Sequence, residues 1–118
     1  MIEKLGIGID ITDVDQFKKI PYSSKLSFYE KIFLPSEIKY CLKYKNPYEH
    51  FAGKFALKEA VKKSINEHIT MLYIETSHSN SKPIVTLRGK WKNKYKFLTS
   101  ISHEKKFAVG IVISEKLE

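Results

Sequence analysis

The run from Pro47 to Asn66, PYEHFAGKFALKEAVKKSIN, constrains the fold more than any other segment. It predicts a helix over 47–66. Pro47 suits the first turn, where its missing N–H costs nothing. At about 100° per residue, Phe51, Ala52, Phe55 and Ala56 form one apolar arc, and Leu57, Val61 and Ile65 form another. A helix apolar over so much of its circumference must be central, with sheet and neighbouring elements packed on it. A chain of 118 residues has the length of one domain. No internal repeat, low-complexity tract or Gly/Ser linker interrupts it, so residues 1–118 are read as a single domain.

The remaining segments supply that cover. Residues 4–12 alternate strictly, with Leu5, Ile7, Ile9 and Ile11 on one face and Gly6, Gly8, Asp10 and Thr12 on the other. Period two with β-branched residues predicts a half-buried strand. Two shorter helices are expected around 23–33 and 36–45, divided by Leu34 and Pro35, with Ser36 as an N-cap for the second. Strands are expected at 69–77 and 84–88, flanking the turn-rich HSNSKP, and at 97–103 and 107–114, joined as a hairpin through Glu104, Lys105 and Lys106. Strand, helices, then four strands make an α+β fold with a largely antiparallel sheet packed on the long central helix.

Charge narrows the partner. Lys and Arg number 21 against 13 Asp and Glu, a net +8, and Arg88 is the only arginine. The excess calls for an anionic partner: nucleic acid, a phosphorylated small molecule, an acidic protein or an anionic membrane surface. No apolar run reaches bilayer length, so no membrane-spanning segment is expected. The N-terminal MIEKLGIGIDITD lacks the basic start and apolar stretch of a secretion signal. Cys41 stands alone, excluding an internal disulfide and a multi-cysteine metal site. A reducing, cytoplasmic location is the expectation.

Certain residues sit where folding alone would not place them. Asp10 shares its strand face with Gly6 and Gly8, a bare strip of backbone that admits close approach by a ligand or another chain; the alternative is a strand-end aspartate pointing at solvent. Glu59 falls inside the arc of Phe51, Ala52, Phe55 and Ala56, and a carboxylate there needs a partner, a proton or a cation. Lys63, one turn on, is the local candidate for that partner. Lys54, Lys58 and Lys62 form a row beside the same arc, either a solvated face or a phosphate clamp. His103 ends a strand at the mouth of a hairpin. His50, His68 and His78 have no companion spacing, which argues against a histidine zinc site. Two carboxylates, lysines and a histidine suit a Mg²⁺-held pyrophosphate, because Mg²⁺ takes one or two carboxylates plus substrate phosphates. Neither a Walker A loop nor a dinucleotide fingerprint is present.

Three of these segments together resemble a known family. Gly6-Ile-Gly-Ile-Asp10, Phe55-Ala-Leu-Lys-Glu-Ala60, and Ser100-Ile-Ser-His103 with Phe107-Ala108 are similar to the three motifs of holo-acyl-carrier-protein synthases, the small 4′-phosphopantetheinyl transferases. Glu30-Lys-Ile-Phe-Leu-Pro-Ser-Glu37 and Lys82-Pro83 resemble further family segments, so the likeness runs nearly end to end.

The resemblance implies the 4′-phosphopantetheinyl transferase fold. It also implies Mg²⁺-dependent transfer of phosphopantetheine from coenzyme A, as substrate, to a serine of an acyl carrier protein, releasing adenosine 3′,5′-bisphosphate. On this basis Asp10 and Glu59 match the metal ligands and belong, with Lys58, to the catalytic set. Lys54, Lys58, Lys63, Lys82, Pro83 and His103 match coenzyme A-binding positions. A homotrimer with sites at subunit interfaces is implied, with no nucleic acid or membrane partner.

Departures from the pattern are also legible. Lys54 stands where the family commonly has arginine. The arginine that docks the acidic carrier falls at Gln16, with Lys18 and Lys19 as nearest substitutes. Ser81 replaces the glycine before Lys82, and the glycine-rich turn expected after the long helix reads Ser64-Ile-Asn-Glu-His68. The competing reading is a basic, non-catalytic nucleic-acid-binding module built on Lys90-Trp-Lys-Asn-Lys-Tyr-Lys96. It leaves Asp10 and Glu59 without a purpose.

Overall fold

The computed structural model describes residues 2–117. The expected central helix is α4, Pro47–Ser64, and it contributes to both parts of the core. Strand β1, Leu5–Asp13, pairs antiparallel with β5, Phe107–Lys116, which pairs antiparallel with β4, Tyr95–His103. This three-stranded sheet, ordered β1-β5-β4, lies against α4, while β2, Ile74–Ser79, and β3, Lys82–Leu87, form a separate antiparallel pair. Short helices α1, Val14–Lys18, α2, Leu26–Glu30, and α3, Pro35–Leu42, fill the stretch between β1 and α4.

The α+β architecture, the antiparallel pairing and the long helix match the sequence reading; four local features differ. Helix 23–33 is a short turn followed by α2. Helix α3 is capped at Leu34, not at Ser36, because Pro35 takes the first helical position and the Glu37 carboxylate accepts the Leu34 N–H at 2.7 Å. Residues 71–73 turn before β2 begins, whereas β2 and β3 run on to a two-residue turn. Asn80 and Ser81 hold that turn with φ of 52° and 66°, the left-handed pair that fits a tight hairpin. Beyond α4 no glycine turn is needed: the helix leaves through Ile65 in extended conformation, and the Ser114 hydroxyl donates to the terminal carbonyl of Ser64 at 3.0 Å.

The expected half-buried strand is β1, and the structure decides which of its faces turns inward. Its isoleucine face is exposed, and its glycine face is the one that meets the helix. A Cβ on Gly8 would lie 1.9 Å from the carbonyl oxygen of Ala60, and one on Gly6 would lie 1.7 Å from that of Ser64. The bare strip therefore admits α4 itself. The core divides along the helix. Leu57, Val61 and Ile65 pack with Ile74, Leu87, Trp91 and Val112. Phe51 and Ala52 pack with Val14, Phe17, Tyr29, Phe33 and Cys41. Burial of each large side chain is worth about 1.5–3 kcal/mol.

Candidate functional site

Because β1 presents its glycine face to α4, Asp10 is carried onto the helix side of the sheet. It pairs with Gly110, whose own face meets Ala56 and Leu57. The Asp10 carboxylate accepts the Thr12 hydroxyl at 2.8 Å on Oδ2 and the Lys63 ammonium at 3.1 Å on Oδ1. Lys63 also donates to the Ile9 carbonyl at 3.0 Å. The ion pair expected between Lys63 and Glu59 is thus replaced by one between Lys63 and Asp10. Glu59 lies one helical turn before Lys63 on the same side of α4 and is half-buried. Both carboxylates border one crossing of strand and helix. Asp10 and Glu59 offer oxygen donors only, which suits a hard divalent cation; with two of them, the rest of the coordination shell would fall to water and substrate.

Lys54 and Lys58 are not on a solvated face. Lys58 is fully buried and pairs with Glu37 at 2.6 Å, both side chains being wholly shielded from solvent. It also donates to the carbonyls of Ile32 at 2.8 Å and Met71 at 3.1 Å. An ammonium has three N–H groups, and all three are engaged. That corrects the expectation of Lys58 as a phosphate ligand. Burial pushes its ammonium below the usual lysine range, and Glu37 opposes the shift. Lys54, also buried, donates to Thr76 Oγ1 at 3.0 Å and to the Thr76 carbonyl at 3.3 Å. Its Nζ lies 4.6 Å from the centroid of the Tyr40 ring.

Lys54 lines a cleft of about 450 Å³ that also gathers Pro83 and His103, two further expected residues. Lys82 is exposed and does not line it. His50 and His78 do, beside Tyr40 and Tyr44. Tyr40 stacks on His78 with centroids 4.6 Å apart, and Tyr44 stacks on His50 at 3.6 Å. His103 meets His50 edge-on at 5.1 Å and has its Nδ1 3.2 Å from Glu49 Oε1. Burial, then the cationic neighbours, lower the pKa of both His50 and His78. Sequence spacing concealed these two residues, because the helix and two hairpins that bring them together are far apart in the chain. The cleft is cationic and aromatic, a combination suited to a phosphate attached to a planar base.

The other features lie elsewhere. Gln16, Lys18 and Lys19 are exposed on and just after α1. Trp91, read as a possible stacking platform for bases, is 6% exposed in the core, with Lys90 and Lys94 flanking its ring. A larger groove, about 1120 Å³, holds none of the residues matched to metal, coenzyme A or carrier; Lys92, Asn93, Tyr95 and Lys96 of the basic segment line it, and it shares Leu5, Leu98 and Ile113 with the exposed face of the sheet. Among the described residues no helix is long and apolar enough to cross a membrane.

Comparison with known proteins places these observations. Residues 6–112 match the 4′-phosphopantetheinyl transferase superfamily. The chain is 40% identical over 116 residues to a holo-acyl-carrier-protein synthase of Thermodesulfovibrio yellowstonii, covering 96% of this chain and 98% of that one. A synthase of the same name from Halothermothrix orenii is 36% identical, over 94% of this chain and 97% of its own. Among solved structures, the Bacillus anthracis holo-acyl-carrier-protein synthase in complex with CoA (3′,5′-ADP) superposes with a TM-score of 0.80 at 31% identity, over 95% of this chain and 96% of that one. The Helicobacter pylori enzyme in complex with coenzyme A gives 0.78 at 35% identity, over 92% and 99%.

Proposed function

The chain belongs to the 4′-phosphopantetheinyl transferase superfamily, and from that premise we propose that it transfers the 4′-phosphopantetheine of coenzyme A to a serine of an acyl carrier protein, acting as one domain. The supporting observation is the separation of two sites along α4. The Asp10–Glu59–Lys63 group has the donors for a divalent cation and a pyrophosphate. The Lys54–His103 cleft is a distinct cationic and aromatic place. Coenzyme A carries two separated anionic groups, its pyrophosphate and its 3′-phosphate, the latter beside adenine.

Asp10 and Glu59 would hold Mg²⁺, which when bound neutralises charge on the pyrophosphate as its P–O bond breaks. Lys63, 52% exposed at the side chain and already beside Asp10, is placed to reach a phosphate oxygen. The carrier serine Oγ bonds to the β-phosphorus and adenosine 3′,5′-bisphosphate leaves. The serine proton passes to the Glu59 carboxylate, which, unlike Asp10, is in no ion pair among the described residues. Lys54 and His103 hold the 3′-phosphate. Lys58 acts from a distance, fixing α3 and α4 through Glu37. Gln16, Lys18 and Lys19 meet the acidic carrier, adding mainly to association rate.

A homotrimer is part of this reading. Ile7, Ile113 and Leu98 form one row across the outward face of the sheet, and Ile9 with Ile111 forms the next. Their exposures run from 37% to 72%. Contiguous apolar surface of this kind is rare on monomers, and two further copies turning the same face to a threefold axis would cover it in a closed ring.

Mass spectrometry tests the function. An apo-carrier incubated with the protein, coenzyme A and Mg²⁺ should gain the mass of one phosphopantetheine. An unchanged carrier mass across several acidic carriers would refute the reading.

A further inference from the structure

Behind the cleft, Lys54, Thr76, Glu37 and Lys58 form one continuous buried chain of hydrogen bonds. The Thr76 hydroxyl accepts from Lys54 at 3.0 Å and donates to Glu37 Oε2 at 2.7 Å. The same Oε2 accepts the Thr76 backbone N–H at 2.7 Å, while Oε1 takes Lys58 at 2.6 Å and the Leu34 N–H at 2.7 Å. All four side chains are buried: Lys54 2%, Thr76 3%, Glu37 1% and Lys58 0% exposed. The chain joins α3, α4 and β2.

The charges do not cancel. Two ammoniums share one carboxylate, and Lys58 already occupies Glu37 as its direct partner. Cys41 does not supply the missing anion, since burial pushes its thiol up to about 12 and keeps it neutral. One positive charge is therefore left over, and Lys54 is the end of the chain that lines the cleft. A buried cation without its own anion is costly, and an anion arriving in the cleft relieves that cost. The hydroxyl of Thr76 holds Lys54 by a lone pair and so fixes its direction without neutralising it.

We propose that Thr76 and Glu37 are positioning residues that aim the uncompensated ammonium of Lys54 at the 3′-phosphate of coenzyme A. Glu37 orients the Thr76 hydroxyl by accepting its hydrogen bond, and that hydroxyl then has its lone pairs turned to Lys54. The inference rests on the proposed use of the cleft, so its test must separate the two ideas.

The experiment compares coenzyme A with 3′-dephospho-coenzyme A in steady-state transfer. Wild type should have a lower KM for coenzyme A, and Lys54→Met should erase the difference. Thr76→Val keeps the shape of the side chain and removes the hydroxyl. It should raise the KM for coenzyme A by about tenfold, as loss of a hydrogen bond to a charged group does. Its KM for the dephospho form and its kcat should stay within about twofold, and Thr76→Ser should restore wild-type behaviour. If Thr76→Val does not fold, Thr76→Ala removes the same hydroxyl without adding a methyl, with the same expectation. A wild type that does not distinguish the two substrates would overturn both ideas. A Thr76→Val enzyme that keeps full discrimination, while Lys54→Met loses it, would overturn the positioning role alone. An equal rise in both KM values with a fall in kcat would also overturn it, since general disruption does not select the 3′-phosphate.

Discussion

Asp10 owes its setting to its neighbours: one oxygen is held by Thr12 and the other by Lys63, so its carboxylate is oriented before any ligand arrives. Substituting Asp10→Asn or Glu59→Gln keeps shape and removes charge. Each should lower the transfer rate by at least ~10²-fold, as loss of a major electrostatic group does, with the melting temperature little changed. A variant with the wild-type rate at saturating Mg²⁺ would remove that residue from the site.

The cleft histidines make a separate prediction. His50 and His78 sit below the ordinary value of 6.5, through burial first and then the cations around them. Around His50 these are His103 and Lys54, with Glu49 pulling the other way. Around His78 they are Lys54, His50 and Lys43. On acidification the unfolded chain protonates these rings first, so it binds more protons than the folded chain below 6.5. Stability then rises with pH and falls as pH drops below that point. Thermal melts from pH 7.5 to 5.5 should show the decline, and His78→Asn should flatten it. An unchanged slope in the variant would show that His78 does not titrate in that range.

Asp10 and Glu59 were legible in the sequence because a carboxylate on an apolar or glycine face is an anomaly at short range. Glu37 as the partner of Lys58, and His50 and His78 as cleft residues, were not. Their contacts join distant segments, which periodicity does not report.

At the scale of elements, the crossing of β1 and α4 is the most intolerant feature. A methyl on Gly8 meets backbone atoms of Ala60 and Ser64, and these have no rotamer to escape into. Gly8→Ala should therefore cost on the order of 3 kcal/mol, seen in denaturant unfolding. It should also lower transfer by shifting Asp10 relative to Glu59. A variant as stable as wild type would mean that helix and strand separate without penalty. The strands and the long helix were readable from their periods of two and 3.6 residues. Alternation shows that the two faces of β1 differ, yet does not say which faces inward. Apolar residues normally turn to the core, and here packing a helix backbone against the sheet requires glycine on that side.

At the scale of the molecule, the outward isoleucine face is the surface proposed to carry association. Ile9→Lys places a charge beside Ile111, in the middle of that face. It should convert a trimer to single chains in light scattering, and activity should fall if sites are shared between subunits. A trimer that persists in the variant would mean that another surface carries association. The strand positions were legible, but the exposure of their isoleucines was not, because a residue covered by the chain and one left for a copy to cover look alike in sequence. The makeup of this face has a thermal consequence. Contact between aliphatic side chains has a small enthalpy near room temperature and a large heat-capacity change, so it weakens on cooling. Chilling a dilute solution should loosen the assembly while each chain stays folded, and warming should restore it. The enzyme would then be cold-labile, losing activity on ice and regaining it at ambient temperature.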